Sequence, residues 1–306
     1  MRSFPSYPKI LYLGKPFTAG VFNSELIVQE KVDGSFFGFG IDERGDLVLR
    51  SKNTLIDVNA FPKLFKEGVE YVLSIEQGIL YFPENTFFYC EYLKTEKHNT
   101  LHYERIPKNH LVLFDCLMQG EFVDREKLVE FADMLNIDVI PELYRGKLEG
   151  DIDRLNKFFE IDSYLGKEKI EGIVIKNYNE KIEMYGHVFP LFVKYVRPEF
   201  REQNQAEWGH NKDKITEFIE SFRTEARWEK AYQHLRERGL LKQELSDIGL
   251  LMKEVSIDIE EEEKENIKKF LWKEFSKKIK KEATKGLPDW YKKKLIDMEL
   301  KRKGGE

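Results

Sequence analysis

Only two cysteines occur in the 306 residues, Cys90 and Cys116, each inside an apolar strand-like run. That excludes a disulfide framework, and Cys and His nowhere take the spacing of a zinc site. The pair reads as reduced core thiols. No apolar run reaches the roughly 18 residues of a membrane-spanning helix, and MRSFPSYPKILYLG is broken by two prolines without an apolar stretch of signal-peptide length. The expected location is the cytoplasm, with no membrane partner. Glycine-rich phosphate loops are missing, so no Walker-type site is expected. Internal repeats and low-complexity linkers are absent as well, and His98 and His110 read as polar loop residues without a second ligand nearby.

What is present describes a globular chain: 41% hydrophobic and 34% charged residues. The length suits one large domain or two ordinary ones of roughly 100–200 residues each. A net charge of −5 hides an asymmetry, because Lys264 to Glu306 holds fifteen Lys or Arg against seven Asp or Glu. A basic tail on an otherwise acidic chain is either a footprint for a phosphate backbone or the solvated face of lysine-rich helices.

The first two thirds alternate short strand-like runs with a few helices. Strands are expected at ELIVQE, SFFGFGI, DLVLRS, TFFYCEYL, HLVLFDCL, EGIVIKNY and LFVKYV, which are rich in Val, Ile, Phe and Tyr. DERGD between the second and third reads as a hairpin turn, with Gly45 supplying the permissive backbone. Helices are expected over Arg125–Asn136 and Asp151–Phe159. After about Asn204 every segment is helical in period, including EARWEKAYQHLRERG and the long EEEEKENIKKFLWKEFSKKIKK, whose acidic start and basic end suit the helix dipole. The stripes around Trp228, Trp272 and Phe275 read as core or interdomain packing. The expected organisation is α+β, antiparallel sheets with flanking helices over residues 1–204, then an all-helical domain over 205–306.

VQEKVDGSFFGFG ends an apolar strand in a charged tripeptide. A lone Lys-x-Asp-Gly is a weak pattern that surface turns also produce. Further charges, however, follow it at strand ends: Arg50 in LVLRSKN, Glu91 in FFYCEYL, Asp115 in LVLFDCL, Glu171 and Lys176 in EGIVIK, Lys194 in LFVKYV. Together they supply a lysine nucleophile, carboxylates for sugar or metal, aromatic faces for a base and cations for phosphates, an inventory that fits nucleotidyl transfer.

The ordered set EKVDGS, LRSKN, FYCEYL, LVLFDCL, EGIVIK and LFVKYV resembles the six motifs of the covalent nucleotidyltransferase superfamily, which includes ligases and capping enzymes and has an ATP-grasp-like ligase domain. It spans Glu30 to Val196. KHNTLHYERIPKNHLVLFD and KYVRPEFREQNQ further resemble RNA ligases of the nick-sealing, double-strand type. The resemblance implies that Lys31 attacks the α-phosphorus of ATP and carries AMP as a phosphoramide, helped by neighbouring cations and metal that lower its pKa. It implies that Asp33 and Gly34 shape the turn, that Glu30 meets the nucleotide base and that Phe114 stacks on adenine. Arg50 and Glu91 would hold the ribose and phosphate edge. Glu171 would bind Mg²⁺, with Mn²⁺ as an alternative, and Lys176 and Lys194 would neutralise charge at the α-phosphate.

Two positions depart from the pattern. Val196 stands where many relatives have a second lysine, with Arg197 beside it as a candidate substitute, and Cys90 precedes Glu91 where glycine is common. DNA ligases and capping enzymes normally continue into a β-barrel of about five strands, whereas this chain continues into helices. The expected activity is therefore an ATP-dependent RNA ligase joining 3′-hydroxyl and 5′-phosphate ends through lysyl-AMP and an adenylylated 5′ end. A DNA ligase, a GTP-dependent capping-type enzyme and a non-catalytic nucleic-acid-binding module are the alternatives.

Overall fold

Runs of Phe, Val, Ile and Tyr too short for helices make the strands, because such side chains pack well on a pleated surface. The computed structural model describes residues 4–15, 18–150, 152–184, 187–203 and 214–303. Its strands are β1 (Leu11–Tyr12), β2 (Leu26–Glu30), β3 (Ser35–Ile41), β4 (Leu47–Ser51), β5 (Leu55–Ile56), β6 (Thr86–Tyr92), β7 (Leu111–Met118), β8 (Glu121–Phe122), β9 (Asp138–Val139), β10 (Glu142–Gly146), β11 (Gly172–Met184) and β12 (His187–Val196). They form two sheets. One has the order β1-β12-β11-β2-β10; the other runs β5-β4-β3-β6-β7-β8, with β9 alongside β7. Pairing is antiparallel throughout except for the short β1/β12 and β7/β9 pairs. The expected mixed α+β class with antiparallel sheets is what the chain adopts, and all seven expected strands form.

Short helices flank the sheets: α1 (Lys66–Ser74), α2 (Glu76–Ile79), α3 (Arg125–Met134) and α4 (Ile152–Asn156). Asp124 caps α3, its carboxylate accepting the Lys127 N–H at 2.9 Å. Helix α1 gives little sequence signal, since Gly68 interrupts its apolar stripe. A Cβ there would stand 3.1 Å from the Tyr92 ring, so the glycine lets the helix lie flat on the sheet. Phe37, Phe39, Phe65, Phe88, Tyr92 and Phe131 fill the core between these helices and the second sheet. A separate core of Val28, Ile173, Ile175, Leu191 and Val193 backs the first.

Every described residue from 214 onward that lies in a regular element is helical: α5 (Lys214–Glu220), α6 (Glu225–Glu237), α7 (Ile248–Ala283) and α8 (Leu287–Lys303), with one 3₁₀ turn at Leu245–Asp247. The boundary expected at 204/205 lies outside the described residues. The chain divides into two compact units, Met1–Val255 and Ser256–Glu306. Trp228 and Trp272 do not sit in a core as expected, being 50% and 67% exposed. No helix among the described residues is long and apolar enough to cross a membrane.

Candidate active site

The chain passes from one sheet to the other in four residues, Lys31 to Gly34, between the end of β2 and the start of β3. The Lys31 N–H donates to the Gly172 carbonyl at 2.9 Å, which keeps its backbone in the ladder. Val32 is buried with Leu93, Leu101, Tyr103 and Leu165. Asp33 anchors the turn: its carboxylate accepts the N–H groups of Thr100 (2.7 Å) and Leu101 (2.8 Å) and the Asn99 amide (3.2 Å), and its N–H donates to the Tyr103 hydroxyl at 2.8 Å. Gly34 donates to Glu91 Oε1 at 3.2 Å. A Cβ on Gly34 would lie 2.7 Å from both Glu91 Cγ and the Tyr92 carbonyl oxygen, so only glycine fits this close approach.

On this rigid turn the Lys31 side chain remains 28% exposed, and its Nζ donates to Glu171 Oε2 at 2.7 Å. Glu171 directly precedes β11, which pairs with β2, so the two charges are fixed by one ladder. Burial by itself would lower the Lys31 ammonium, but Glu171 and Glu91 outweigh it and leave the pKa raised. The expected lowering by neighbouring cations is seen in Lys194, which acts in that direction, and the carboxylates outweigh it. Glu171 is raised by burial, with Lys31 opposing. Glu91, on β6, is pushed up to about 8, first by burial and then by Glu237, Glu171 and Asp33, against the pull of Lys31.

A second ionic group lies beside the first. Lys194 on β12 donates to Glu202 Oε1 at 3.0 Å and sits 4.0 Å from the centre of the Tyr12 ring, whose hydroxyl donates to the same oxygen at 2.7 Å. Lys230 on α6 donates to Glu202 Oε2 at 2.7 Å. Burial would raise the Glu202 carboxyl, but Lys194 and Lys230 hold it well below the ordinary range. Lys52 is exposed at the surface and its Nζ meets His234 Nε2 at 3.1 Å. Burial first, then Lys52 and Lys230, push His234 down to about 3, so the ring is neutral: Nε2 accepts from Lys52 and Nδ1–H donates to Glu254 at 3.1 Å.

Other residues singled out from the sequence are placed differently. Lys176 is buried, donates to the Phe114 carbonyl (2.8 Å) and Asp115 Oδ2 (3.1 Å), and stands 5.1 Å from the centre of the Phe114 ring. Asp115 also accepts the Tyr7 and Tyr178 hydroxyls, and burial lowers the Lys176 ammonium. Glu30 is 4% exposed, and its carboxylate accepts the Ser163 hydroxyl (2.5 Å) and the Tyr164 N–H (3.1 Å). The Arg50 guanidinium holds the carbonyls of Phe4, Ser51 and Lys52 and makes no ion pair among the described residues. Arg197 pairs with Glu199 at 3.4 Å and lies over Phe200. Buried Val196 brings no charge to its position.

Sequence reasoning missed Tyr12, Lys52, Glu202, Lys230 and Gln233, whose Nε2 donates to the Gly34 carbonyl at 2.8 Å. Lys52 and Glu202 stood inside motif-like segments without being singled out. Lys230 and Gln233 lay in a helix whose period announced packing alone.

No curated protein matches the chain. Among solved structures it is similar to the Naegleria gruberi RNA ligase with PPi, at 15% identity and a TM-score of 0.48, over 63% of this chain and 57% of that one. Mutants of that ligase with ATP and Mn (16%, TM-score 0.48, 62% and 57%) and with AMP and Mn (15%, TM-score 0.49, 64% and 57%) are similar to the same degree. The chain thus spans little more than half the length of these proteins. The family model described as RNA ligase matches residues 24–196. That stretch is more than half of the sequence and runs from β2 through β12, the strands that set Lys31 against Glu171 and bring in Glu91 and Lys194, so the chain belongs to the RNA ligase family.

Proposed function

We propose that this chain is an ATP-dependent RNA ligase that joins 3′-hydroxyl and 5′-phosphate ends through a covalent adenylate on Lys31. The observation that carries the reading is the Lys31 amine itself, still partly exposed, fixed by a sheet-crossing turn and paired with Glu171 at 2.7 Å beside Glu91 and Lys194. In the first step the ammonium gives up a proton, with Glu171 the acceptor in reach. The N–Pα bond forms, the bond from Pα to the β-phosphate oxygen breaks, and pyrophosphate leaves with the electron pair. A 5′-phosphate oxygen then attacks Pα and the Lys31 amine leaves, taking back a proton. Finally the 3′-hydroxyl attacks the 5′-phosphorus, its proton passes to solvent, and AMP departs.

The chain's own groups have distinct parts in this scheme. Lys194, and Lys176 once its pairing with Asp115 loosens, face the charge that builds on the α-phosphate. Phe114 offers a ring for adenine, and Glu30 and Arg50 are assigned to the base and the ribose edge. Among the described residues no three side chains form a metal cage. This fits a hard cation such as Mg²⁺ or Mn²⁺, which takes one or two carboxylates together with substrate phosphates and waters. Glu171 would hold it, and the ion would supply charge neutralisation at the phosphates while drawing the carboxylate off Lys31.

Joining of nicks in double-stranded RNA is the finer reading. It is supported by the two segments that resemble nick-sealing ligases, which contribute Asn99 to the Asp33 turn and Glu202 to the cationic group. Incubation with labelled ATP and Mg²⁺ followed by a denaturing gel tests the chemistry. The wild type is expected to retain label while Lys31→Ala retains none, and GTP is expected to give no adduct. Label on Lys31→Ala would remove the nucleophile assignment. Faster sealing of single strands than of a matched nicked duplex would remove the nick-sealing reading.

A further inference from the structure

Where a second lysine is missing from β12, the structure places another cation from far along the chain. Val196 is buried and neutral, yet Lys194 is not alone: Lys230, on a helix outside the family segment 24–196, shares its carboxylate, with Glu202 bridging them at 3.0 and 2.7 Å. Lys52 lies in the field of both lysines, and Lys194 lies in that of Lys31. The cations therefore form a chain, Lys31, Lys194, Lys230, Lys52, longer than one phosphate requires. Lys52 hydrogen-bonds the His234 imidazole at 3.1 Å, while Glu237 and Glu202 act on its charge from farther off. A carboxylate held between two ammonium groups occupies the place a phosphate oxygen pair would take.

We propose that Lys230, with Lys194 and Lys52, seats the phosphates of ATP beyond the α-phosphorus and the pyrophosphate they become, Glu202 holding the seat until the nucleotide displaces it. This rests on the reading of Lys31 as the adenylated residue. The seat explains how the site tolerates Val196: the missing cation is supplied by α6, which the Gln233 amide ties to the Gly34 carbonyl of the lysine turn. It also separates two ligands. ATP would engage the seat, whereas AMP, lacking the outer phosphates, would not.

The test uses the full chain carrying Lys31→Met, so that nucleotide binds without reacting, titrated with ATP and with AMP in Mg²⁺ by calorimetry. Adding Lys230→Met is expected to weaken ATP by about tenfold or more while AMP changes by less than about threefold, and Lys230→Arg is expected to keep most of the ATP affinity. Glu202→Gln, which removes the competing charge, is expected to bind ATP tighter. Equal losses for ATP and AMP, or no loss for either, would overturn the seat, as would ATP binding weakened by Glu202→Gln. Should Lys230→Met fail to fold, Lys230→Gln is read in its place by the same criteria. A wild type that forms no adduct with ATP refutes the Lys31 reading, while an adduct-forming wild type whose Lys230 variants hold ATP undiminished refutes the seat alone.

Discussion

Glu91 is the residue through which the site makes itself felt in stability. Its carboxyl keeps a proton up to about pH 8 in the folded chain, because burial and the nearby Glu237, Glu171 and Asp33 outweigh Lys31. In the unfolded chain the same group ionises near pH 4.3. Between those values the folded state binds more proton, so this contribution to stability is full below the unfolded pKa and is lost as pH rises through about 8. Thermal unfolding without nucleotide is expected to show Tm falling across that window, and Glu91→Gln is expected to flatten the fall, standing above the wild type by several degrees at pH 8. Parallel Tm curves for the two proteins would show that Glu91 ionises normally. Lys31 carries the opposite lesson. Its place on a turn with Asp33 and Gly34 was legible in the sequence, but the net direction of its pKa depends on Glu171, 140 residues away.

At the scale of elements, the sheet-crossing turn depends on a missing side chain. Gly34→Ala would press a methyl group against Glu91 and the Tyr92 carbonyl, an overpacking expected to cost about 1–3 kcal/mol. Denaturant unfolding measures the loss, and the rate of adduct formation with ATP should drop with it, since the same atoms aim Lys31. Strands β2, β3, β4, β6, β7, β11 and β12 were legible because each is a run of aromatic and branched residues, whereas five-residue β10, Glu142–Gly146, shows no such run and was not. The two-residue strands β1, β5, β8 and β9 were not, being too short to show any period. Helix α6 was legible as a helix, but not as part of the site. Its contact with Gly34 joins residues 199 apart in sequence, a separation no local pattern encodes.

For the whole molecule, the side chains placed in the site all lie within the unit Met1–Val255. A chain stopped after Val255 is expected to keep forming the Lys31 adduct. It is also expected to lose RNA affinity less steeply as salt is raised, because the removed part carries fifteen basic against twelve acidic residues, with all the basic ones gathered from Lys264 onward. Filter binding over a KCl series reads that slope, and an unchanged slope would leave the tail without phosphate contacts. The four-residue passage between the sheets has a consequence of its own. Because Lys31 sits on the strap that joins them, the two sheets cannot move apart without carrying the amine along. In the proposed chemistry, the spacing of the sheets and the amine's reach toward phosphorus are thus one mechanical coordinate, and an inhibitor that wedges the sheets apart would disarm the lysine without touching it.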